Sequence, residues 1–352
     1  MTDGLEILPV RGIGDVTAGD DLAELIGSAA PWLRDGDVLV VTSKIVSKAE
    51  GRLVEVPADG PERDAARELI LVSETARVVA RRGSTAIVQT HHGFVMASAG
   101  IDAPNVDKTH LALLPADPDG SARALRAGLL GRGLDVGVII SDTMGRAWRN
   151  GLTDVAVGAA GVQPFRDHRG ETDPYGNELQ LTEMAVIDEL AAAGELVKGK
   201  MDQVPVAVVR GYPGAGRRDG PGAAAVLRSA AEDMFSLGTA EARAQGLRDA
   251  AVLHDGSQLA LPGRPVDPAA VDRAVTLVAD LIAPGTTIVP AETIPDNGAT
   301  AALHIAARNT SPVACMRLGA DVHRLRAALA AEGVRTVVIP HDDGIRLDLS
   351  GS

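Results

Sequence analysis

Val38-Leu39-Val40-Val41-Thr42-Ser43-Lys44-Ile45-Val46-Ser47-Lys48 begins as an unbroken apolar, β-branched run and then turns abruptly into hydroxyls and ammonium groups. An apolar run of this length reads as a buried strand, and the polar residues after it read as the loop which that strand aims. Similar runs occupy 85–89, 94–99, 136–140 and 206–209. Between them lie stretches with helical spacing of apolar residues, at 21–33, 62–71 and 121–130. Strands alternating with amphipathic helices make the chain α/β, or α+β.

The punctuation fits that reading. His91-His92-Gly93 separates two strand-like runs as a hairpin turn would, and the Pro- and Asp-rich stretch 115–120 leads into a helix capped by Asp117 or Ser121. From 211 to 222 the sequence is Gly-Tyr-Pro-Gly-Ala-Gly-Arg-Arg-Asp-Gly-Pro-Gly, a long loop, and a helix of about 15 residues is expected after it. Beyond residue 245 the texture becomes Ala-, Val- and Asp-rich. Helices are expected from Asp267-Pro268 to about Ala283 and over 321–332, with a hairpin of 334–340 and 345–349 turning at Asp342-Asp343-Gly344. Two domains follow, 1–245 and a small α/β module at 246–352.

The 352 residues carry 45% apolar and 23% charged side chains, so the chain can bury a core. The net charge of -13 argues against nucleic acid as a partner, because phosphate-backbone affinity rests on many Lys and Arg. Aromatics are only 2%, all at or before Phe235. The last third therefore has no stacking platform for bases, and it would hold a flavin ring only through aliphatic contacts. One cysteine, Cys315, excludes an internal disulfide and reads as a small apolar residue. No apolar run reaches membrane-spanning length, and the acidic start at 1–6 is unlike a signal peptide, so the expected location is the cytoplasm.

Three expected strand ends carry chemistry. Residues 43–48 offer two hydroxyls and two ammonium groups, a set suited to a triphosphate, although alone it is equally well a solvated loop. No Gly-x-x-x-x-Gly-Lys-Ser/Thr or strand-linked Gly-x-Gly-x-x-Gly is present, so neither common nucleotide fold is supported. Asp102, in Gly100-Ile101-Asp102-Ala103-Pro104-Asn105, and Asp142-Thr143, in Ser141-Asp142-Thr143-Met144-Gly145-Arg146, make a hard oxygen set for Mg2+ or Mn2+. Either Asp alone is as well read as a helix cap; together they favour a metal. Arg146 and Arg149 are placed to offset charge on a transferred phosphoryl group. A fourth polar cluster, 173–178, is expected to enter a long helix through Thr182, Glu183, Asp188 and Glu189, with Asn177, Glu178 or Glu183 as candidates to touch substrate. The eight histidines show no metal-ligand spacing, and no Gly-x-Ser-x-Gly elbow suggests a serine nucleophile.

Seven motifs in fixed order are recognisable as a set. They are Leu8-Pro9-Val10-x-Gly12, Gly19-Asp20-Asp21-Leu22, the run from Asp35-Gly36-Asp37 to Lys44, Ser47-Lys48-Ala49-Glu50-Gly51-Arg52, Gly100-Ile101-Asp102-x-x-Asn105-Val106, 141–146, and Asp173-Pro174-Tyr175-Gly176-Asn177-Glu178-Leu179. Over 5–245 the chain resembles the coenzyme F420-0:L-glutamate ligase family, in particular the two-domain actinobacterial form. The resemblance implies a two-subdomain fold in an intertwined homodimer. It implies GTP- and divalent-metal-dependent joining of L-glutamate to coenzyme F420-0 through an acyl phosphate, releasing GDP and phosphate, followed by γ-glutamyl extension, with K+ assisting. By motif match, Asp102, Asp142 and Thr143 would bind the metal. Ile13, Gly14, Asp15, Val16, Ser43, Lys48 and Asn105 would hold GTP, and Asp142 and Arg146 would serve the chemistry.

The likeness stops at the tail. The two-domain relatives continue into a nitroreductase-like FMN domain that opens with an Arg-rich stretch. Here His254-Asp255-Gly256-Ser257-Gln258 stands in that place, and only about 100 residues remain, so the module is expected to be a degenerate remnant without FMN. Two other readings stay open from the sequence. One is a catalytically silent protein that binds GTP or the coenzyme, and the other is a metal-dependent phosphohydrolase.

Overall fold

The computed structural model describes residues 4–102, 108–199, 202–216, 220–253, 261–293 and 297–351. The chain divides into two compact units, Met1–Gly238 and Thr239–Ser352. The boundary moves from 245 to 238, because residue 245 lies inside a helix of the second unit, Thr239–Ala251.

The first unit runs β1 (Glu6–Val10), α1 (Leu22–Ala29), β2 (Val38–Thr42), α2 (Ser43–Ala49), β3 (Leu53–Glu55), α3 (Gly60–Ser73), β4 (Thr75–Arg82), β5 (Thr85–Thr90), β6 (Val95–Ala97), β7 (His110–Ala112), α4 (Pro118–Leu130), β8 (Gly137–Arg146), β9 (Arg149–Ala160), β10 (Arg166–Asp167), β11 (Glu183–Met184), α5 (Val186–Lys198) and β12 (Val206–Arg210). Its main sheet has the order β1-β12-β2-β8-β9. Only β2 and β8 are parallel, pairing from Val38↔Gly137 to Thr42↔Ser141, so their carboxyl ends lie side by side.

Both faces of this sheet are covered, which explains the unbroken apolar strands. Leu39, Val41, Val138 and Ile140 face α1, α2 and α4 in one core, while Val38, Val40 and Ile139 face α5 in another. Gly194 of α5 comes so close that a Cβ there would lie 2.8 Å from Val40, so the helix needs a glycine at this contact. Asp21 and Asp117 cap α1 and α4 by accepting from the N–H groups of the first turn. A second, smaller layer holds the β4-β5-β6 sheet with α3 over a core of Leu71, Ala86, Val88 and Ala99. The 90–94 turn closes the expected hairpin, with Gly93 at φ 96°.

Four local expectations differ. Residues 43–48 are not a loop: α2 starts directly at the end of β2. Ser141-Asp142-Thr143 does not follow β8 but lies within it, in a β8–β9 hairpin that outruns the sheet. The helix expected after 222 is only a short 3-10 turn, Ala223–Val226. There Asp119 accepts from the N–H groups of Ala223 and Ala224, and Asp233 accepts from the Phe235 N–H, which gives the backbone alternatives to a helix. Likewise α5 begins at Val186, after the separate strand β11.

The second unit contains α6 (Thr239–Ala251), α7 (Pro268–Val278), β13 (Thr287–Pro290), β14 (Ala301–Ala306), α8 (Pro312–Ala331), β15 (Val334–His341) and β16 (Gly344–Gly351). Its antiparallel sheet has the order β13-β14-β16-β15, with α7 and α8 over a core that includes Ala274, Ile305, Leu325, Leu329, Leu347 and Leu349. The module is α/β as its sequence indicates, although α8 begins at a Ser311 cap, well before residue 321. Residues 254–258 lie outside the described residues. No helix among the described residues is long and apolar enough to cross a membrane.

Candidate active site

The parallel ends of β2 and β8 bring the first polar groups together. Ser43, the residue after Thr42, is buried, and its hydroxyl donates to Asp142 Oδ1 at 3.2 Å. One residue on, Lys44 Nζ stands 2.6 Å from Asp102 Oδ2. Asp102 is held by its backbone, which exchanges hydrogen bonds of 2.9 Å with Ala112 in both directions. Two carboxylates from separate segments thus share one locality with a hydroxyl and an ammonium group. This is the crevice at the carboxyl ends of parallel strands, where ligands of open α/β sheets bind.

The electrostatics are unusual there. Burial pushes the Asp142 carboxyl from its ordinary 3.8 up to about 7; the negative charges of Asp102 and Asp154 add to this, and the Thr143 N–H and the Ser43 hydroxyl only partly offset it. Asp142 is therefore a carboxylate short of positive charge.

Strand alternation puts the neighbours of Asp142 on the other face of β8. Thr143 Oγ1 donates to Asp154 Oδ1 at 2.7 Å, and Ser141 Oγ donates to Asp154 Oδ2 at 2.8 Å. Lys198, at the end of α5, donates to both Ser141 Oγ and Asp154 Oδ2 at 2.8 Å. Ser141, Asp154 and Lys198 are all buried. Burial works to raise the Asp154 carboxyl, but the charge and hydrogen bond of Lys198, with the two hydroxyls, outweigh it and hold Asp154 below the usual range.

Of the residues expected from the sequence, Ser43, Asp102 and Asp142 meet. The Thr143 hydroxyl faces away from them, toward Asp154. Lys48 is half-buried in the last turn of α2, and its ammonium group makes no ion pair or hydrogen bond with the described residues. Ile13, Gly14, Asp15 and Val16 lie in the irregular stretch after β1: Ile13 and Val16 anchor it in the core, Gly14 and Asp15 are exposed, and Gly19 N–H ties it to Ala49 O of α2. Arg146 is four residues beyond Asp142, about 13 Å along the strand, and donates to Asn150 O in the hairpin tip. Asn105 lies outside the described residues. Asn177 is bonded to Asp173 in an exposed turn, and Glu183 pairs with Arg169.

Lys44 belongs to the phosphate-binding set expected at 43–48, whereas sequence reasoning passed over Ser141, Asp154 and Lys198 as site residues. Lys198 did carry a signal: it continues the apolar face Ile187, Leu190, Ala191, Gly194 at helical spacing.

Residues 12–211 match the model of the F420-0:Gamma-glutamyl ligase family. The chain belongs to this family. It is 41% identical over 249 residues to the coenzyme F420:L-glutamate ligase of Methanothermobacter thermautotrophicus, covering 66% of this chain and 99% of that protein. Against the enzyme of the same name from Methanopyrus kandleri the identity is 41% over 246 residues, 66% of this chain and 97% of the relative. Against that of Archaeoglobus fulgidus it is 43% over 224 residues, 60% and 90% respectively. The likeness read from the ordered motifs is borne out. All the residues that meet around β8 fall inside the span matched by the F420-0:gamma-glutamyl ligase model.

Proposed function

We propose that the chain joins the amine of L-glutamate to the terminal carboxylate of coenzyme F420-0, using GTP and Mg2+ or Mn2+ with K+ assisting, and then extends the product by γ-linked glutamates. Family membership supports the ligation. The observation that carries the metal and nucleotide reading is the convergence of Ser43, Lys44, Asp102 and Asp142.

The donor set fits a hard divalent cation. Among the described residues no three His, Cys, Asp or Glu side chains form a metal-holding group, so the protein would offer the two carboxylates and leave other positions to phosphate oxygens and water. Mg2+ is commonly held that way. Bound there, the cation would offset the charge on the β- and γ-phosphates.

A carboxylate is a poor acyl donor, and phosphorylation makes it a good one. In the proposed reaction a carboxylate oxygen of F420-0 attacks the γ-phosphorus and GDP leaves. The glutamate nitrogen then attacks the acyl carbon, loses a proton, and inorganic phosphate departs with the former carboxylate oxygen. Lys44 and Lys48 supply positive charge to the phosphates, Ser43 positions Asp142, and Asp142 and Asp102 hold the cation. Arg146 is proposed to act only if the hairpin tip carries it toward the phosphates. At that tip Trp148 is exposed and its ring lies 4.9 Å from that of Phe235, with exposed Leu152 and Met234 in the same segments. An apolar surface of this kind supports the proposed homodimer.

GDP release should depend strictly on both L-glutamate and F420-0, measured by chromatography of the nucleotides with Mn2+ present. Rapid GTP turnover without glutamate would instead favour a phosphohydrolase, and GTP binding with no turnover a silent binding protein.

A further inference from the structure

We propose that the buried Lys198–Asp154 pair is a positioning device for the metal site: from the far face of β8 it locks the short stretch of strand that presents Asp142. The inference rests on the metal reading given above.

The need for such a device follows from the topology. Pairing between β2 and β8 ends at Thr42↔Ser141. From Asp142 onward β9 alone among the described strands pairs with β8, and the register of that pair shifts between Ile140 and Ser141. A two-stranded ribbon beyond an irregularity twists easily, so Asp142 sits where the sheet alone holds it least. Among the described residues its own face supplies one side-chain hydrogen bond, from Ser43.

The opposite face supplies the rest. Residues 141 and 143 flank Asp142, and both hydroxyls donate to the same carboxylate, Asp154, which stands directly across from Thr143 in β9. Lys198 closes the set by donating to Asp154 and to Ser141, with Glu195 Oε2 a further 3.4 Å neighbour. Two strands and one helix terminus are thereby joined through four side chains. Lys198 and Asp154 are 2% and 3% exposed, too deep to reach solvent or a diffusing ligand without rearrangement. A buried ion pair is weak as a source of stability, since well-packed apolar residues commonly do as well, whereas it fixes geometry through directed hydrogen bonds. Groups that orient metal ligands from behind typically alter metal affinity by about 10- to 100-fold when removed.

Mn2+ binding to the full chain, followed by the electron paramagnetic resonance of the free ion, tests this. Lys198→Met removes a positive charge near the site. Plain electrostatics would then tighten Mn2+ binding; a positioning role weakens it. The double variant Asp154→Asn/Lys198→Met leaves the net charge unchanged and should weaken Mn2+ binding by at least about 10-fold while melting cooperatively near the parent's midpoint. A folded double variant with affinity within about twofold of the parent, or a tighter Lys198→Met, overturns the proposal. Should one variant not fold, the other carries the test. Asp142→Asn separates the two readings: no Mn2+ binding by the parent, or none lost in Asp142→Asn, overturns the metal site and this device with it.

Discussion

Asp142→Asn is expected to lower kcat/KM for ligation by about 1,000-fold or more while the fold survives. The proposed cation offsets developing phosphate charge, a contribution of several kcal/mol, and each 1.4 kcal/mol is about tenfold in rate. The amide keeps the size of the carboxylate and can still accept from the Ser43 hydroxyl, so packing around β8 is little disturbed. Stability should move the other way. In metal-free protein the Asp142 carboxyl titrates at about 7 when folded, against 3.8 ordinarily. The folded state then holds a proton that the unfolded chain has given up, so the contribution is full below about pH 4 and is lost as pH rises to about 7. The linked penalty above pH 7 is at most about 4 kcal/mol, and less for a side chain that is only half-buried. Urea denaturation in chelator at pH 5 and pH 8 should therefore show a parent that weakens at the higher pH relative to Asp142→Asn. Equal pH dependence in the two proteins would contradict the charge-starved site.

Asp37→Ala is expected to cost about 3–5 kcal/mol of stability, roughly 10 °C in the melting of the first unit. Asp37 is 1% exposed and accepts from Arg210 Nε at 2.8 Å and Nη2 at 2.7 Å, and from the Arg34 N–H at 2.9 Å. This bidentate pair joins the start of β2 to the end of β12, and Arg210 also lies over the Trp32 ring at 5.5 Å. Removing one partner strands the other in a largely buried place. Replacing both, as in Asp37→Leu/Arg210→Met, should recover most of the loss, because no charge is then left unpaired. Chemical denaturation of both variants decides it, and a loss under about 1 kcal/mol for Asp37→Ala would show that the clamp carries little.

These two aspartates show what could and could not be read from the chain. The 38–42 run announced a buried strand because the sheet is covered on both faces, and the ordered motifs announced the family. Asp37 and Asp142 look alike in sequence, each an acid beside an apolar run. Only the pairing of β2 with β12 shows that one is a structural clamp, and only the parallel ends of β2 and β8 bring the other beside Ser43 and Asp102. Asp142 and Thr143 are adjacent, which invited one shared role, yet the two-residue period of a strand sends them to opposite faces. Lys198 was obscured for the reverse reason: 56 residues separate it from Asp142, and a lysine near a helix end ordinarily belongs in solvent. The 223–238 stretch has helical apolar spacing but fails as a helix, because Asp119 and Asp233 bond its backbone instead.

The most direct measurement uses coenzyme F420-0 carrying heavy oxygen in its terminal carboxylate, incubated with the full chain, GTP, Mn2+ and L-glutamate, with product and released phosphate analysed by mass spectrometry. Ligation through an acyl phosphate gives a product heavier by one or more glutamyl residues, GDP, and phosphate bearing one labelled oxygen for each first glutamate added. No glutamyl product from folded protein that binds Mn2+, or a product formed with no label in the phosphate, would contradict it.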